Sequence, residues 1–253
     1  MTQKIIAVVN QKGGVGKTTT TINVAAQLAT AGHSVLLVDL DPQGNATSGL
    51  GLVKDQPVTM YELLCHGQSL ASAVLETNVA QLYVLPSNTN LAGAEIELVE
   101  RERREYVLQQ ILATAAYDYI IIDCPPSLGL LTINALTAAS LVLMPVQAEY
   151  YALEGLSQLL NTVQAVKHST NQQLELLGVV LTMYDKRTSL SEQVREEVKK
   201  FFGENLFKTV IPRNIRLAEA PSYGKTIFEH DKWSKGARAY KALAKEILSR
   251  TSY

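Results

Sequence analysis

Residues 5–19 read Ile5-Ile6-Ala7-Val8-Val9-Asn10-Gln11-Lys12-Gly13-Gly14-Val15-Gly16-Lys17-Thr18-Thr19. A short apolar run breaks into a glycine-rich turn, and a helical pattern follows at once. Thr18–Ala31 carries Ile22, Ala25, Ala26, Leu28 and Ala29 on one face and stops at Gly32, a residue suited to a helix C-terminus. Strand, glycine loop and helix in this order make a phosphate cradle, because glycines let the backbone wrap closely and helix N-terminal amides offer donors in a positive potential. Lys17 is placed to reach β- and γ-phosphates, and the Thr18 hydroxyl to bind Mg²⁺. An ordinary glycine-rich turn would not require Gly-Lys-Thr in that register.

Working outward, runs rich in Val, Ile and Leu predict strands at Ile5–Asn10, Val35–Leu40, Leu82–Pro86, Tyr119–Cys124, Leu141–Val146, Leu176–Thr182 and Lys208–Ile211. Helical patterns alternate with them, which implies an α/β fold: a doubly wound, mostly parallel sheet with helices on both faces. Ser189-Leu190-Ser191-Glu192 fits a capping box that opens a helix ending before Gly203. The stripe Tyr240, Leu243, Ala244, Ile247 and Leu248 in Lys235–Ser249 reads as a helix docked on its own core. Between Gly49 and Thr77, Met60, Leu63, Leu64 and Leu70 suggest small helices over an edge. No Pro-, Ser- or Gly-rich linker or repeat divides the chain, so residues 1–253 are expected to form one domain.

With 253 residues, 47% of them hydrophobic, the chain can bury a substantial core, which argues against disorder. Its 23 basic and 24 acidic side chains nearly balance, but unevenly along the chain. Residues 1–180 hold 8 basic and 15 acidic groups and residues 181–253 hold 15 basic and 9 acidic, so the C-terminal part suits an anionic partner. Cys65 and Cys124 show no disulfide or zinc spacing, and the four histidines are scattered without ligand spacing. The first apolar run is too brief for a signal or membrane segment, so a cytoplasmic chain is expected.

Three aspartates complete the sequence-level site. Asp39 and Asp41 stand at the end of the second predicted strand, and Asp123 ends the run Tyr119-Ile120-Ile121-Ile122. The C-terminal edge of a strand faces the ligand crevice of an α/β sheet. A buried carboxylate there is costly unless it is paired or lies near a cation such as Mg²⁺. A turn or capping role is the alternative for Asp39 and Asp41. A second Gly-Lys-Thr, at Gly224–Thr226, follows no strand and has Glu219 in place of the leading glycine, so it is discounted as a nucleotide loop.

The first loop departs from the ordinary phosphate-loop pattern: Gln11 replaces the leading glycine and Lys12 adds a second lysine. Lys12-Gly13-Gly14-Val15-Gly16-Lys17-Thr18 is similar to the deviant Walker A loop of the ParA/MinD class of ATPases. From Ile5 to about Leu248 the chain resembles the short chromosomal ParA proteins of the Soj type, including Val38–Gly51, Leu91–Leu98, Glu149–Leu156 and Ile211–Asn214. The resemblance implies ATP and Mg²⁺ as cofactors, with Gly13, Gly14, Val15, Gly16, Lys17, Thr18 and Thr19 around the phosphates. Lys12 would reach the partner's phosphates in an ATP-bound homodimer, Asp41 would position the attacking water, and Asp123 would support Mg²⁺ through a water. Met183, Pro212 and Asn214 would lie near the adenine.

The same resemblance implies a ParB-type protein that stimulates hydrolysis, and a nucleoid-associated location. Because no recognition-helix motif is present, binding is expected to be to double-stranded DNA without sequence preference. The candidate contacts are Arg187, Lys199, Lys200, Arg213, Arg216, Lys225, Lys235 and Arg238, against the alternative of a solvated charged face. Phe201, Phe202 and Trp233 are expected to be packed. Electron transfer like that of the nitrogenase iron protein is disfavoured because Cys124 is expected inside a strand end. A membrane helix of the MinD kind is likewise disfavoured, and no membrane partner is expected. A ParA-like positioner of a non-DNA cargo is the alternative function, and a small-molecule enzyme of the wider class a third.

Overall fold

The computed structural model describes residues 3–149 and 152–252, without the side chains of 152–155. Among the described residues seven strands form one sheet: β1 (Lys4–Val8), β2 (Val35–Asp39), β3 (Leu75–Glu76), β4 (Leu82–Leu85), β5 (Tyr119–Asp123), β6 (Leu141–Gln147) and β7 (Glu175–Thr182). Their spatial order is β3-β4-β2-β5-β1-β6-β7. Neighbours run parallel except for the two-residue edge strand β3, which pairs antiparallel with β4.

The helices among the described residues are α1 (Lys17–Thr30), α2 (Asn45–Gly49), α3 (Met60–His66), α4 (Leu70–Ala73), α5 (Leu91–Glu97), α6 (Val107–Leu112), α7 (Leu130–Ala138), α8 (Ala152–Ser169), α9 (Ser189–Phe202), α10 (Ile215–Glu219), α11 (Ile227–Asp231) and α12 (Lys235–Thr251). Both faces of the sheet are covered, which explains why the strands are apolar at successive positions rather than alternately. Ile6, Val8, Leu37 and Ile121 pack beneath α1 and α12. Ala7, Val9, Leu36, Val38, Ile120 and Ile122 face the other way, towards α3 and α5–α9. The fold is therefore the doubly wound α/β arrangement that the sequence pattern implies.

Helix α12 docks on α1, with Tyr240, Leu243 and Ile247 at 1% exposure or less and the Tyr240 hydroxyl 3.1 Å from Thr20 Oγ1. Met60, Leu63 and Leu64 of α3 are buried as expected. Gly32 follows the end of α1 at φ +96°, a left-handed conformation that glycine adopts without strain.

Three local expectations are corrected. Lys208–Ile211 is not a strand: Phe207 and Ile211 donate backbone hydrogen bonds to β7, but the Lys208 and Thr209 amides between them donate to the Glu246 carboxylate of α12. The ladder is interrupted by a side chain. Helix α9 is capped by Thr188, whose hydroxyl accepts the Ser191 amide, and not by Ser189. Phe202 is buried, but Phe201 and Trp233 are 61% and 78% exposed. The downstream Gly-Lys-Thr is a helix start, in which Thr226 caps α11 through a reciprocal box with Glu229.

Candidate active site

The carboxyl ends of β1, β2 and β5 meet at the turn between β1 and α1. Gly14 and Gly16 hold φ +74° and +89°, which side chains rarely adopt. A Cβ on Gly13 or Gly14 would meet nothing within 4 Å, so the loop borders open space. Helix α1 has no side-chain cap and no acidic residue in its first turn, and so presents its N-terminal amides to that space. Asn10 anchors the loop from below: its Nδ2 donates to Pro145 O at 2.8 Å, and its Oδ1 accepts the Lys12 amide at 2.9 Å. Thr182 Oγ1 donates to Val15 O at 2.8 Å, tying the loop to the end of β7.

Lys17 is 6% exposed, and its ammonium donates to Lys12 O at 3.2 Å. Burial lowers its pKa, while Asp123, Cys124 and Asp41 oppose that shift. A buried ammonium held by one carbonyl is poised to exchange it for a stronger anionic acceptor.

The three aspartates divide their roles. Asp123 Oδ2 accepts the Thr18 hydroxyl at 2.7 Å and Oδ1 the Thr21 hydroxyl at 3.1 Å. Asp123 is fully buried, and desolvation followed by the nearby Asp39 pushes its pKa well up. A group of this kind suits a nearby divalent cation, which would restore the ionised form. Asp39 is satisfied by protein: Oδ2 accepts both the amide and hydroxyl of Thr47, at 2.8 and 2.7 Å, and Oδ1 accepts the Asp41 amide. Asp41 lies on the rim at 8% exposure, its Oδ1 accepting the Gln43 amide at 2.9 Å and its carbonyl the Ser87 hydroxyl at 2.8 Å.

Beside the loop opens a cleft of about 370 Å³ whose lining includes Gly16, Thr19, Met183, Pro212 and Asn214. The segments meet because the Tyr184 amide donates to Ile211 O and the Arg213 amide to Tyr184 O. Met183 takes φ +51°, an uncommon conformation for its residue type, and Asn214 caps α10 through the Arg216 amide. A larger cleft of about 720 Å³, with Ser34, Tyr83 and Tyr117 in its wall, opens at the amino ends of β2 and β5 and touches none of these residues. Only the smaller cleft borders the glycine loop, through Gly16 and Thr19.

Lys12 is half exposed, and its ammonium pairs in the same chain with Glu149 Oε2 at 3.2 Å. Tyr150 and Tyr151 of the Glu149–Leu156 motif lie outside the described residues. Lys199, Lys200, Arg213, Lys225, Lys235 and Arg238 are exposed. Arg187 is exposed but makes two hydrogen bonds to Asp185, and Arg216 pairs with Glu219 and Asp231. Sequence reasoning gave no role to Asn10, Thr21, Thr47 or Glu149, although Asn10 stands at the strand-to-loop junction and Glu149 opens the Glu149–Leu156 motif; Thr182 was expected only as the start of a stretch near the adenine, and its bond to the loop was not foreseen.

A family model described as an AAA domain matches residues 3–176. The chain is 58% identical over 249 residues to the sporulation initiation inhibitor protein Soj of Bacillus subtilis, covering 97% of this chain and 98% of that one. It is 53% identical over 245 residues to the chromosome-partitioning ATPase Soj of Thermus thermophilus, covering 97% and 95%. Among solved structures, cobyrinic acid a,c-diamide synthase from Mycobacterium smegmatis with bound ADP and magnesium superposes with a TM-score of 0.87 at 40% identity, over 100% and 97% of the two chains.

Proposed function

The chain belongs to the ParA/Soj family of chromosome-partitioning ATPases, and we propose that it is an ATP-driven dimerising switch that binds duplex DNA without sequence preference and works with a ParB-type partner. The observation that carries this reading is the convergence of Lys12, Lys17, Thr18, Asp41 and Asp123 at one sheet edge, beside the cleft at Met183, Pro212 and Asn214. Likeness to the Bacillus protein exceeds likeness to the mycobacterial synthase, which favours partitioning over small-molecule synthesis.

The residues fit ATP with Mg²⁺: an open glycine cradle, uncapped helix amides, and a buried carboxylate bonded to the Thr18 hydroxyl. Thr18 would hold the ion directly and Asp123 through a water, and the ion would supply charge neutralisation at the phosphates. Gly13, Gly14, Val15, Gly16 and Thr19 line the phosphates with backbone amides. Lys17 exchanges the Lys12 carbonyl for phosphate oxygens, and Met183, Pro212 and Asn214 take the adenine. Asp41 orients the attacking water, since phosphoryl transfer needs positioning and charge stabilisation more than covalent chemistry. Lys12 reaches the partner subunit's nucleotide, so ATP closes the dimer and hydrolysis reopens it.

Dimerisation doubles a basic surface drawn from Arg187, Lys199, Lys200, Arg213, Arg216, Lys225, Lys235 and Arg238, and so raises affinity for phosphates. Among the described residues no helix is long and apolar enough to cross a membrane. The test is binding to random duplex DNA with ATP, with ADP and without nucleotide, alongside light scattering. The reading expects a dimer and tight DNA binding with ATP alone; equal binding in all three states would refute the switch.

A further inference from the structure

Lys12 is held along its main chain, and its side chain is exposed. Its amide donates to Asn10 Oδ1 and its carbonyl accepts Lys17 Nζ, whereas its side chain is 52% exposed. The ammonium of this side chain lies against Glu149, two residues beyond β6. Glu149 is itself held: its amide donates to Gln147 O at 2.8 Å, its Oε1 accepts Gln147 Nε2, and the adjoining Ala148 amide donates to Thr182 O at 3.1 Å. One carboxylate oxygen is committed to Gln147 and the other to Lys12.

We propose that Glu149 is a latch on Lys12, holding in the monomer the ammonium that ATP-driven closure delivers to the partner's phosphates. The inference rests on the trans role of Lys12 proposed above. An ammonium carries three N–H donors, so the conflict is one of position: Glu149 is tied to the end of β6 in the same chain, whereas the phosphates belong to the other subunit, and reaching across the interface draws the ammonium away from the carboxylate. Breaking the pair is therefore part of closing. Glu149 is not orphaned when the lysine leaves, because the Gln147 amide and water still reach it, so the latch is reversible. Both partners are half exposed, and an ion pair of that kind stabilises weakly. Its loss should favour closure by up to about fivefold per subunit, or about 25-fold in the dimer dissociation constant. The latch thus tunes the threshold for closure without forbidding it.

The experiment compares Glu149→Gln and Glu149→Ala with the Glu149 chain, all carrying Asp41→Ala so that hydrolysis does not drain the dimer. Dimer dissociation constants are measured at saturating ATP by sedimentation, at low and high salt. Both variants should dimerise more tightly at low salt, the advantage shrinking at high salt as the pair is screened. ATP affinity of the monomer, measured by equilibrium dialysis in a Lys12→Ala background, should not change. Dimerisation that is equal or weaker in both variants overturns the latch while leaving the dimer intact as a reading. Absence of any ATP dimer in the Glu149 control removes the dimer reading itself, and the latch with it.

Discussion

Asp39 and Asp123 are register partners at the ends of the adjacent parallel strands β2 and β5, and both are fully buried. Their hydrogen bonds separate them: Thr47 and a backbone amide serve Asp39, whereas the Thr18 and Thr21 hydroxyls of the phosphate-loop helix serve Asp123. The first carboxylate organises the turn into α2, and the second faces the open loop.

That juxtaposition predicts a pH effect in nucleotide-free protein kept in EDTA. Burial is the main cause that pushes Asp39 up from 3.8 to about 6. Its folded value lies above its unfolded one, so its contribution to stability is complete below about pH 4 and is lost as pH rises to about 6. Asp39→Asn does not ionise and should escape the loss, gaining a few kcal/mol on the parent over that interval. Thermal unfolding midpoints of both proteins from pH 4 to 7 check this, and a constant gap between the two curves would refute it.

Lys17→Ala should abolish ATP binding while leaving the fold intact. Its ammonium donates to a loop carbonyl, not to a core group, and the substitution removes the cation supplied in cis to the β- and γ-phosphates. Equilibrium dialysis with labelled ATP is the measurement, and parental affinity would sink the assignment.

The phosphate loop was legible from sequence because its chemistry is contiguous: Gly13, Gly14, Gly16, Lys17 and Thr18 act within one turn, and Asp123 follows an apolar run that could only be a buried strand. What escaped depends on distant partners. Nothing near Lys208 foretells that Glu246 takes its amide, and nothing near Lys12 foretells Glu149, because only the tertiary fold brings those carboxylates close. Adjacent hydroxyls at Thr188 and Ser189 made the α9 cap ambiguous by one residue. Trp233 precedes the Ser234 cap in the turn before α12, where no helical face carries it inward.

Lys12→Ala and Asp41→Ala should both hydrolyse ATP poorly yet depart from the parent in opposite directions on oligomeric state. The first should bind ATP and stay monomeric, having lost the group that reaches the partner's nucleotide. The second should bind ATP, dimerise and remain on DNA, because removing a water-positioning carboxylate slows the chemistry without emptying the loop. Light scattering with ATP separates them. An ordinary dimer from Lys12→Ala would remove the trans role, and failure of Asp41→Ala to dimerise would leave that aspartate only its turn bond to the Gln43 amide.

Arg187 and Arg216 test whether the basic excess of residues 181–253 meets DNA. Each is exposed but engaged by carboxylates: Arg187 by Asp185 at 2.7 and 3.0 Å, and Arg216 by Glu219 at 2.9 Å and Asp231 at 3.7 Å. Ion pairs this exposed are weak, so a phosphate can compete for either guanidinium. Arg187→Ala or Arg216→Ala should weaken binding of the ATP dimer to random duplex DNA while ATP binding and dimerisation persist. If each arginine neutralises one phosphate per subunit, the dimer loses two contacts, and the slope of log affinity against log salt becomes shallower by about 1.8. The loss should be the same on AT-rich and GC-rich duplexes, because phosphate contacts carry little sequence information. An unchanged slope in both variants would leave the two guanidinium groups as partners of their carboxylates alone, and a loss confined to one sequence would instead reveal base readout.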